Sequence, residues 1–130
     1  ILLLQPTSPM RNKKDIRGLI NFTIKNNIKS SVSVTKVREY PQLIYGMDKM
    51  KKLKKEFSSY NQHSLRQKYK KLHRVNGALY MAETKWLLKN KSFINHRTHG
   101  YEMPVERSVD IDDEYDWTIA NFLLQNKKYE

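Results

Sequence analysis

The clearest pattern of secondary structure lies in residues 1–37, ILLLQPTSPMRNKKDIRGLINFTIKNNIKSSVSVTKV. Its four leading apolar residues precede Pro6-Thr7-Ser8-Pro9, a pattern typical of a buried strand that ends in a turn. Residues 15–26 carry apolar side chains at helical spacing, and residues 31–37 alternate polar and β-branched side chains as a strand does. Strand, helix and strand in this order form a βαβ unit. We therefore expect an α/β fold with a parallel sheet and a right-handed crossover.

In the predicted helix, Asp15 is expected to cap the first turn and Asn26-Asn27 to end the helix. The apolar side chains expected to face the core are Ile16, Leu19, Ile20 and Ile24. A buried first strand needs neighbouring strands, and nothing in the chain precedes it to supply one. We therefore expect the chain to be a piece of a longer protein.

The remainder of the chain has weaker patterns. Met47, Met50 and Leu53 are three residues apart, which is compatible with one thin helical stripe. Asn76-Gly77 indicates a turn. The other predicted elements are a strand at 78–82, a helix at 84–89, a loop at 95–104, an extended segment at 108–112 and a helix at 114–125. The side chains expected to be buried in the two helices are Trp86, Leu87, Leu88, Trp117, Ala120, Leu123 and Leu124.

Composition excludes several classes of protein. The 130 residues include no cysteine, which rules out disulfides, thiolate metal sites and a cysteine nucleophile. No apolar run approaches the roughly 18 residues of a membrane helix, so we expect a soluble cytoplasmic protein with no membrane partner. The net charge of +12 and the lysine run at 49–55 suggest nucleic-acid binding. No nucleic-acid motif accompanies them, and a solvated surface is the favoured interpretation.

Two carboxylates give the strongest candidate site. In an extended segment Asp110 and Asp112 point to the same face, and a hard divalent ion such as Mg²⁺ would relieve their repulsion. Val109 and Ile111 would then point into the core. An alternative that is compatible with this one is that Asp112 or Asp113 caps the final helix.

Two further segments have polar groups at positions suited to a ligand. Gln5 and Ser8 follow the first strand, where ligands of α/β sheets bind, although a simple turn explains them too. Arg74 offers a fork for a carboxylate or phosphate, and Gly77 permits close backbone approach or a positive φ. The alternative for this second segment is a basic surface with a hairpin-like turn.

Four segments taken together resemble the acylneuraminate cytidylyltransferases, the CMP-sialic acid synthetase family. They occur in the family's order: Leu2–Arg11, Arg66-Gln67, Arg74–Tyr80 and Ser108–Glu114. The resemblance implies a partial Rossmann-like nucleotidyltransferase fold, with residues 1–37 and 76–130 in the α/β domain. It implies that residues 38–75 form a small basic dimerisation subdomain and that the protein is a homodimer.

The resemblance also implies an activity and a set of roles. Such enzymes join CTP to a nine-carbon sugar acid and release pyrophosphate with Mg²⁺ as cofactor. Asp110 and Asp112 match the metal-binding aspartates. Gln5 matches a glutamine near the sugar, Arg74 an arginine beside the substrate carboxylate, and Asn76 a polar residue of the same pocket. Phe93 matches an aromatic residue that lines the sugar pocket.

The chain resembles the C-terminal part of these enzymes. No segment of it resembles their N-terminal half, which binds CTP. We therefore expect the isolated chain to turn over little or nothing, and a separate N-terminal half is one expected partner. The alternatives are a non-catalytic remnant that acts as a dimerising or binding module, and a basic nucleic-acid-binding protein. We do not expect nucleic acid as the partner.

Overall fold

The computed structural model describes residues 1–57 and 71–126. The chain folds as two compact units, one formed by residues 1–36 with 73–130 and the other by residues 37–72. The predicted division into a catalytic domain and a dimerisation subdomain stays a prediction. Within the described ranges, no helix is long and apolar enough to cross a membrane.

The first unit is built around a mixed sheet. Its strands are β1 (Leu2–Leu4), β2 (Ser30–Lys36), β5 (His73–Ala82) and β6 (His99–Glu102), in the order β1-β5-β2-β6. β5 runs antiparallel to both of its neighbours, whereas β2 and β6 are parallel. The α/β class is confirmed, but β5 lies between the two strands of the predicted βαβ unit. Strand β6 was predicted as a loop, because its short sequence His-Gly-Tyr-Glu has no strand alternation.

Helix α1 (Lys13–Lys25) covers one face of this sheet. Its N-cap is Asn12, not Asp15, and Asp15 completes a capping box by accepting a hydrogen bond from the Asn12 backbone. Leu19 is fully buried, and Ile24 is 67% exposed, so the predicted stripe is right at its centre and wrong at its end. The core contains Leu19, Ala78, Leu79 and Met103, with Leu2, Ile16, Met81 and Tyr101 packed against it.

A bulge of four residues in β5 interrupts its pairing with β2. Val32 pairs with Tyr80 and Val34 with Val75, so Ser33 alone lies opposite the β5 segment 76–79. The Ser33 hydroxyl accepts a hydrogen bond from the Leu79 N–H at 2.8 Å and thereby replaces a lost ladder bond. The predicted turn at Asn76-Gly77 is therefore wrong as a chain reversal: it is a bulge within a continuous strand.

In the second unit, β3 (Tyr45–Met47) and β4 (Leu53–Lys55) form an antiparallel hairpin. The Asp48 carboxylate accepts hydrogen bonds from the Met50 and Lys52 backbone N–H groups and stabilises the turn. The predicted helical stripe of Met47, Met50 and Leu53 is wrong, since this Asp-centred turn separates the three residues into two strands and their connection.

Two further α-helices lie in the described part of the first unit. Helix α2 spans Thr84–Asn90, and Leu88 is 72% exposed rather than packed inward. Helix α3 spans Glu114–Gln125, as predicted, and Asp113 caps it by accepting from the Asp116 N–H. Of the predicted apolar face of α3, only Ala120 is buried, whereas Trp117 and Leu124 are more than half exposed.

Candidate functional site

The bulge in β5 brings Gly77 against two polar side chains from distant parts of the chain. Gly77 has φ of +76°, a conformation that residues with a Cβ adopt at a cost. A Cβ at this position would lie 2.4 Å from Asp110 Oδ2 and 3.0 Å from Gln5 Oε1. Glycine is therefore required twice, for its backbone angle and for the space that the two oxygens occupy. We call Gln5, Gly77 and Asp110 the Gly77 cluster.

The loop after β1 is fixed at this cluster by hydrogen bonds. Buried Ser8 donates its hydroxyl to Asp110 Oδ1 at 3.1 Å. Arg11 donates to the backbone carbonyls of Gln5 and Ser8, the latter at 2.7 Å. The Ile111 N–H donates to the Thr7 carbonyl at 2.8 Å. These bonds hold Gln5 and Asp110 on rigid backbone rather than on a free loop.

Asn76, the residue before Gly77, is fully buried. Its amide donates to Ser108 Oγ at 2.8 Å, and its carbonyl oxygen accepts from Ser33 Oγ at 2.6 Å and from the Ala78 N–H. The chain itself thus supplies partners for both ends of this amide. The arrangement fits a residue that holds the bulge and the 108–110 segment in place, whereas the predicted role was contact with substrate.

The predicted carboxylate pair differs in its surroundings. Asp110 is half-buried at the Gly77 cluster, whereas Asp112 is exposed at the start of α3. The segment 108–112 forms no strand of the sheet, and Val109 and Ile111 are half-buried rather than in the core. Asp112 donates its backbone N–H to the Asp116 carboxylate at 3.1 Å.

The donor atoms of the Gly77 cluster suit a hard cation. Asp110 Oδ2 and Gln5 Oε1 meet at Gly77, and the partner of the other Asp110 oxygen is a neutral hydroxyl. Oxygen donors with one or two carboxylates are what Mg²⁺ takes, with water and phosphate oxygens as its other ligands. Within residues 1–57 and 71–126, no three His, Asp or Glu side chains form a group that could hold a metal ion. A magnesium ion here would therefore need ligands from a bound phosphate or water.

Arg74 lies on β5 just before the bulge, with its side chain exposed. Its Nη2 donates to the Ser108 carbonyl at 3.3 Å, which brings the guanidinium to the segment that leads into Asp110. A cation thus contacts the backbone two residues before the Asp110 carboxylate. Arg66 and Gln67, the other basic segment of the sequence pattern, fall outside the described residues.

Tyr80 connects the Gly77 cluster to Phe93. Burial and the nearby charge of Asp110 raise the pKa of the Tyr80 phenol. The ring of Tyr80 lies 5.8 Å from that of Phe93, centroid to centroid, at an angle of 59°. Sequence reasoning did not select Tyr80 as a site residue. The sequence does contain a signal for it, since Tyr80 is the one residue with a hydroxyl group in the apolar stretch 78–82.

A buried ion pair supports the segment that carries Asp110. Asp15, 2% exposed, accepts two hydrogen bonds from Arg107, each at 2.9 Å. The hydrogen bond to Asp15 raises the pKa of Arg107. Helix α1 is thereby fastened to the 3₁₀ turn Val105–Arg107, directly before Ser108. The pattern that predicted a cap at Asp15 could not reveal a partner 92 residues away.

No protein-family model matches the sequence. Curated relatives do match it. The CMP-N,N'-diacetyllegionaminic acid synthase of Legionella pneumophila is 30% identical over 126 residues, which are 96% of this chain and 53% of the relative. The N-acylneuraminate cytidylyltransferase of Escherichia coli O18:K1:H7 is 31% identical over 129 residues, covering 96% of this chain and 30% of the relative. That of Streptococcus agalactiae serotype III is 28% identical over 116 residues, 89% and 28% of the two chains.

The mixed α/β fold is consistent with a partial Rossmann-like fold of the nucleotidyltransferase class, the class to which the named cytidylyltransferases belong. Within that class, the chain is homologous to the acylneuraminate cytidylyltransferases over nearly all of its length. The resemblance drawn from the four short motifs is confirmed. The chain spans about half the length of the Legionella relative and less than a third of the other two.

Proposed function

We propose that the chain forms part of a cytidylyltransferase that activates a sialic-acid-type nine-carbon sugar acid with CTP, giving the CMP-sugar and pyrophosphate. The observation that carries this proposal is the meeting of the Asp110 carboxylate and the Gln5 amide at Gly77. In a chain whose relatives are named as CMP-sugar synthases, an oxygen-rich cluster of this kind suits a phosphate-bound cation.

In this proposal Asp110 and Asp112 hold Mg²⁺. When bound, the ion would offset the charge that develops on the α-phosphate of CTP as the sugar hydroxyl attacks it. The Ser8 hydroxyl orients the Asp110 carboxylate by donating to Oδ1, which leaves Oδ2 directed toward Gly77. Asp112 supplies the second carboxylate from the exposed start of α3.

The sugar acid is proposed to lie beside the Gly77 cluster, within reach of Arg74. Arg74 would pair with the substrate carboxylate, since a guanidinium binds a carboxylate through two parallel hydrogen bonds. Gln5 would face the acyl-amino group, and Phe93, packed on Tyr80, would form an apolar wall for the sugar. Asn76 would be a positioning residue, because its side chain holds the bulge and Ser108 together.

The remaining parts of the proposal concern partners. The chain spans about half of the Legionella relative and less than a third of the Escherichia coli relative. We therefore propose the activity for this chain together with the rest of such an enzyme. The remaining part of the enzyme is supplied either by the same polypeptide or by a separate one. A homodimer formed through the unit of residues 37–72 is also proposed, on the basis of the family resemblance.

A chimera tests the activity. This chain would replace the matching 53% of the Legionella relative. The assay would follow formation of the CMP-sugar from CTP. We expect turnover that falls by about a hundredfold or more with Asp110→Asn, since the carboxylate acts on developing charge. Glu83→Gln, which changes an exposed carboxylate at the start of α2, serves as the matched control and should leave turnover unchanged. A folded chimera without turnover, or one that is indifferent to Asp110→Asn, would contradict the proposal.

A further inference from the structure

A separate cavity lies between α2 and the loop that leads to β6. Its volume is about 300 Å³, and its lining residues are Trp86, Lys89, Asn90, Asn95, His96 and Arg97. None of them belongs to the Gly77 cluster. Two of the six carry permanent positive charges, and none is acidic. A concave lining of one charge sign concentrates ions of the opposite sign, so the occupant that it favours is an anion.

Hydrogen bonds hold the walls of this cavity. The Asn90 side chain donates to the Trp86 carbonyl at 2.8 Å, and Asn95 donates to Asn90 Oδ1 at 3.1 Å, which ties the loop to the helix. Asn95 Oδ1 in turn accepts from the Arg97 N–H at 2.8 Å. A cavity whose walls are already fixed costs little reorganisation when a ligand enters.

The cationic groups have distinct geometries. Arg97 Nε donates to His96 Nε2 at 3.3 Å, so the imidazole holds one edge of the guanidinium. In the described part of the chain, the two terminal nitrogens of Arg97 have no hydrogen bond to protein and remain available as a two-pronged donor. Lys89 follows Trp86 by three residues on α2, which puts an ammonium and a half-buried indole on the same helix face.

We propose that this cavity binds a small phosphate-bearing anion, with Arg97 and Lys89 as its donors. A guanidinium fork matches phosphate oxygens in pairs, and an ammonium adds a point charge. The volume is at the low end for ligand cavities, so the fit is to inorganic phosphate, pyrophosphate or a mononucleotide. The site is independent of the Gly77 cluster and of the activity proposed for it.

Tryptophan fluorescence tests the proposal directly. The chain has two tryptophans, and Trp117 lies on α3, outside the cavity, with 58% of its surface exposed. Trp117→Phe therefore leaves Trp86 as the reporter. This variant would be titrated with inorganic phosphate, pyrophosphate and CMP, with chloride replaced so that ionic strength stays constant. We expect a saturable change in Trp86 emission and in its indole N–H resonance.

Charge-matched variants decide whether the binding is local. Arg97→Ala should weaken binding by about tenfold or more, since it removes a charge-assisted pair of hydrogen bonds. Lys85→Ala removes a cation from the same helix but from outside the lining, and should change affinity by less than about twofold. Saturation by CMP alone would support the site with a nucleotide as its occupant. Equal weakening by both variants, or no response of both Trp86 signals to any of the three anions, would overturn the proposal.

Discussion

Asp15 and Asp110 are two carboxylates of one structural unit, and their surroundings are opposite. Asp15 is 2% exposed, and its carboxylate accepts two hydrogen bonds from the Arg107 guanidinium and one from the Asn12 backbone N–H. Asp110 is half-buried, and its neighbours are the Ser8 hydroxyl, the Gln5 amide and the backbone of Gly77. A carboxylate with its own counter-ion braces the fold. One surrounded by neutral oxygens retains the capacity to bind a cation from outside.

The largest expected effect comes from breaking the brace. Arg107→Ala leaves the Asp15 charge buried without its counter-ion, and we expect the free energy of unfolding to fall by about 3–5 kcal/mol. Urea unfolding of the variant and parent measures this loss. Glu83→Ala, which breaks the exposed Lys29–Glu83 pair, is the control and should cost less than about 1 kcal/mol. Equal losses in the two variants would mean that Asp15 and Arg107 contribute no more than a surface pair.

Next in size is a change at the glycine that separates the two oxygens. Gly77→Ala should destabilise by at least about 1–2 kcal/mol through its positive φ, and its Cβ would force Asp110 or Gln5 to move. Gly100→Ala is the control in the same unit, where a Cβ would lie 3.2 Å from a Val34 methyl group and no positive φ is involved. Chemical denaturation of both compares them. A Gly77→Ala variant as stable as Gly100→Ala would show that the bulge tolerates a side chain.

Neutralising the two carboxylates in turn should change the stability in opposite directions. Asp110→Asn should leave stability unchanged or raise it by up to about 1 kcal/mol, because it removes a partly desolvated charge whose nearest side-chain neighbours, Ser8 and Gln5, are neutral. Asp15→Asn should instead lower stability by about 2 kcal/mol, because it weakens a buried ion pair. Thermal unfolding at pH 7 of both variants is the measurement. Losses of similar size in both would contradict the contrast drawn between them.

A third carboxylate, exposed but paired, gives the smallest effect. Hydrogen bonds from Lys36 and His73 lower the pKa of Glu102 from its ordinary value of 4.5. Its contribution to stability is therefore present above that value and is lost as the pH falls through the folded-state pKa. We expect Glu102→Gln to be slightly less stable than the parent at pH 7, and the difference to shrink as the pH falls toward 3. A difference that persists unchanged at pH 3, as measured by urea unfolding, would rule out this linkage.

Local patterns in the sequence predicted β2, α3 and a cap at Asp112 or Asp113, of which Asp113 is the cap, because strand alternation, helical spacing and capping chemistry act between near neighbours. The positive φ of Gly77 was also foreseen as one use of that glycine. The bulge was not, since Ser33, which replaces the lost ladder bond, lies far away in the sequence. The exposure of Trp117 and Leu124 was missed for a related reason. Periodicity identifies which side chains favour burial, but not whether another surface is there to cover them.

The most direct test of the account is whether Asp110 binds a divalent cation. Mn²⁺ added to ¹⁵N-labelled chain would broaden backbone resonances near its binding site, and Mg²⁺ would reverse the broadening by competition. We predict broadening centred on residues 5–8, Gly77 and Asp110, lost with Asp110→Asn and kept with Glu102→Gln. Broadening that survives Asp110→Asn, or that centres on Glu102, would contradict the central claim.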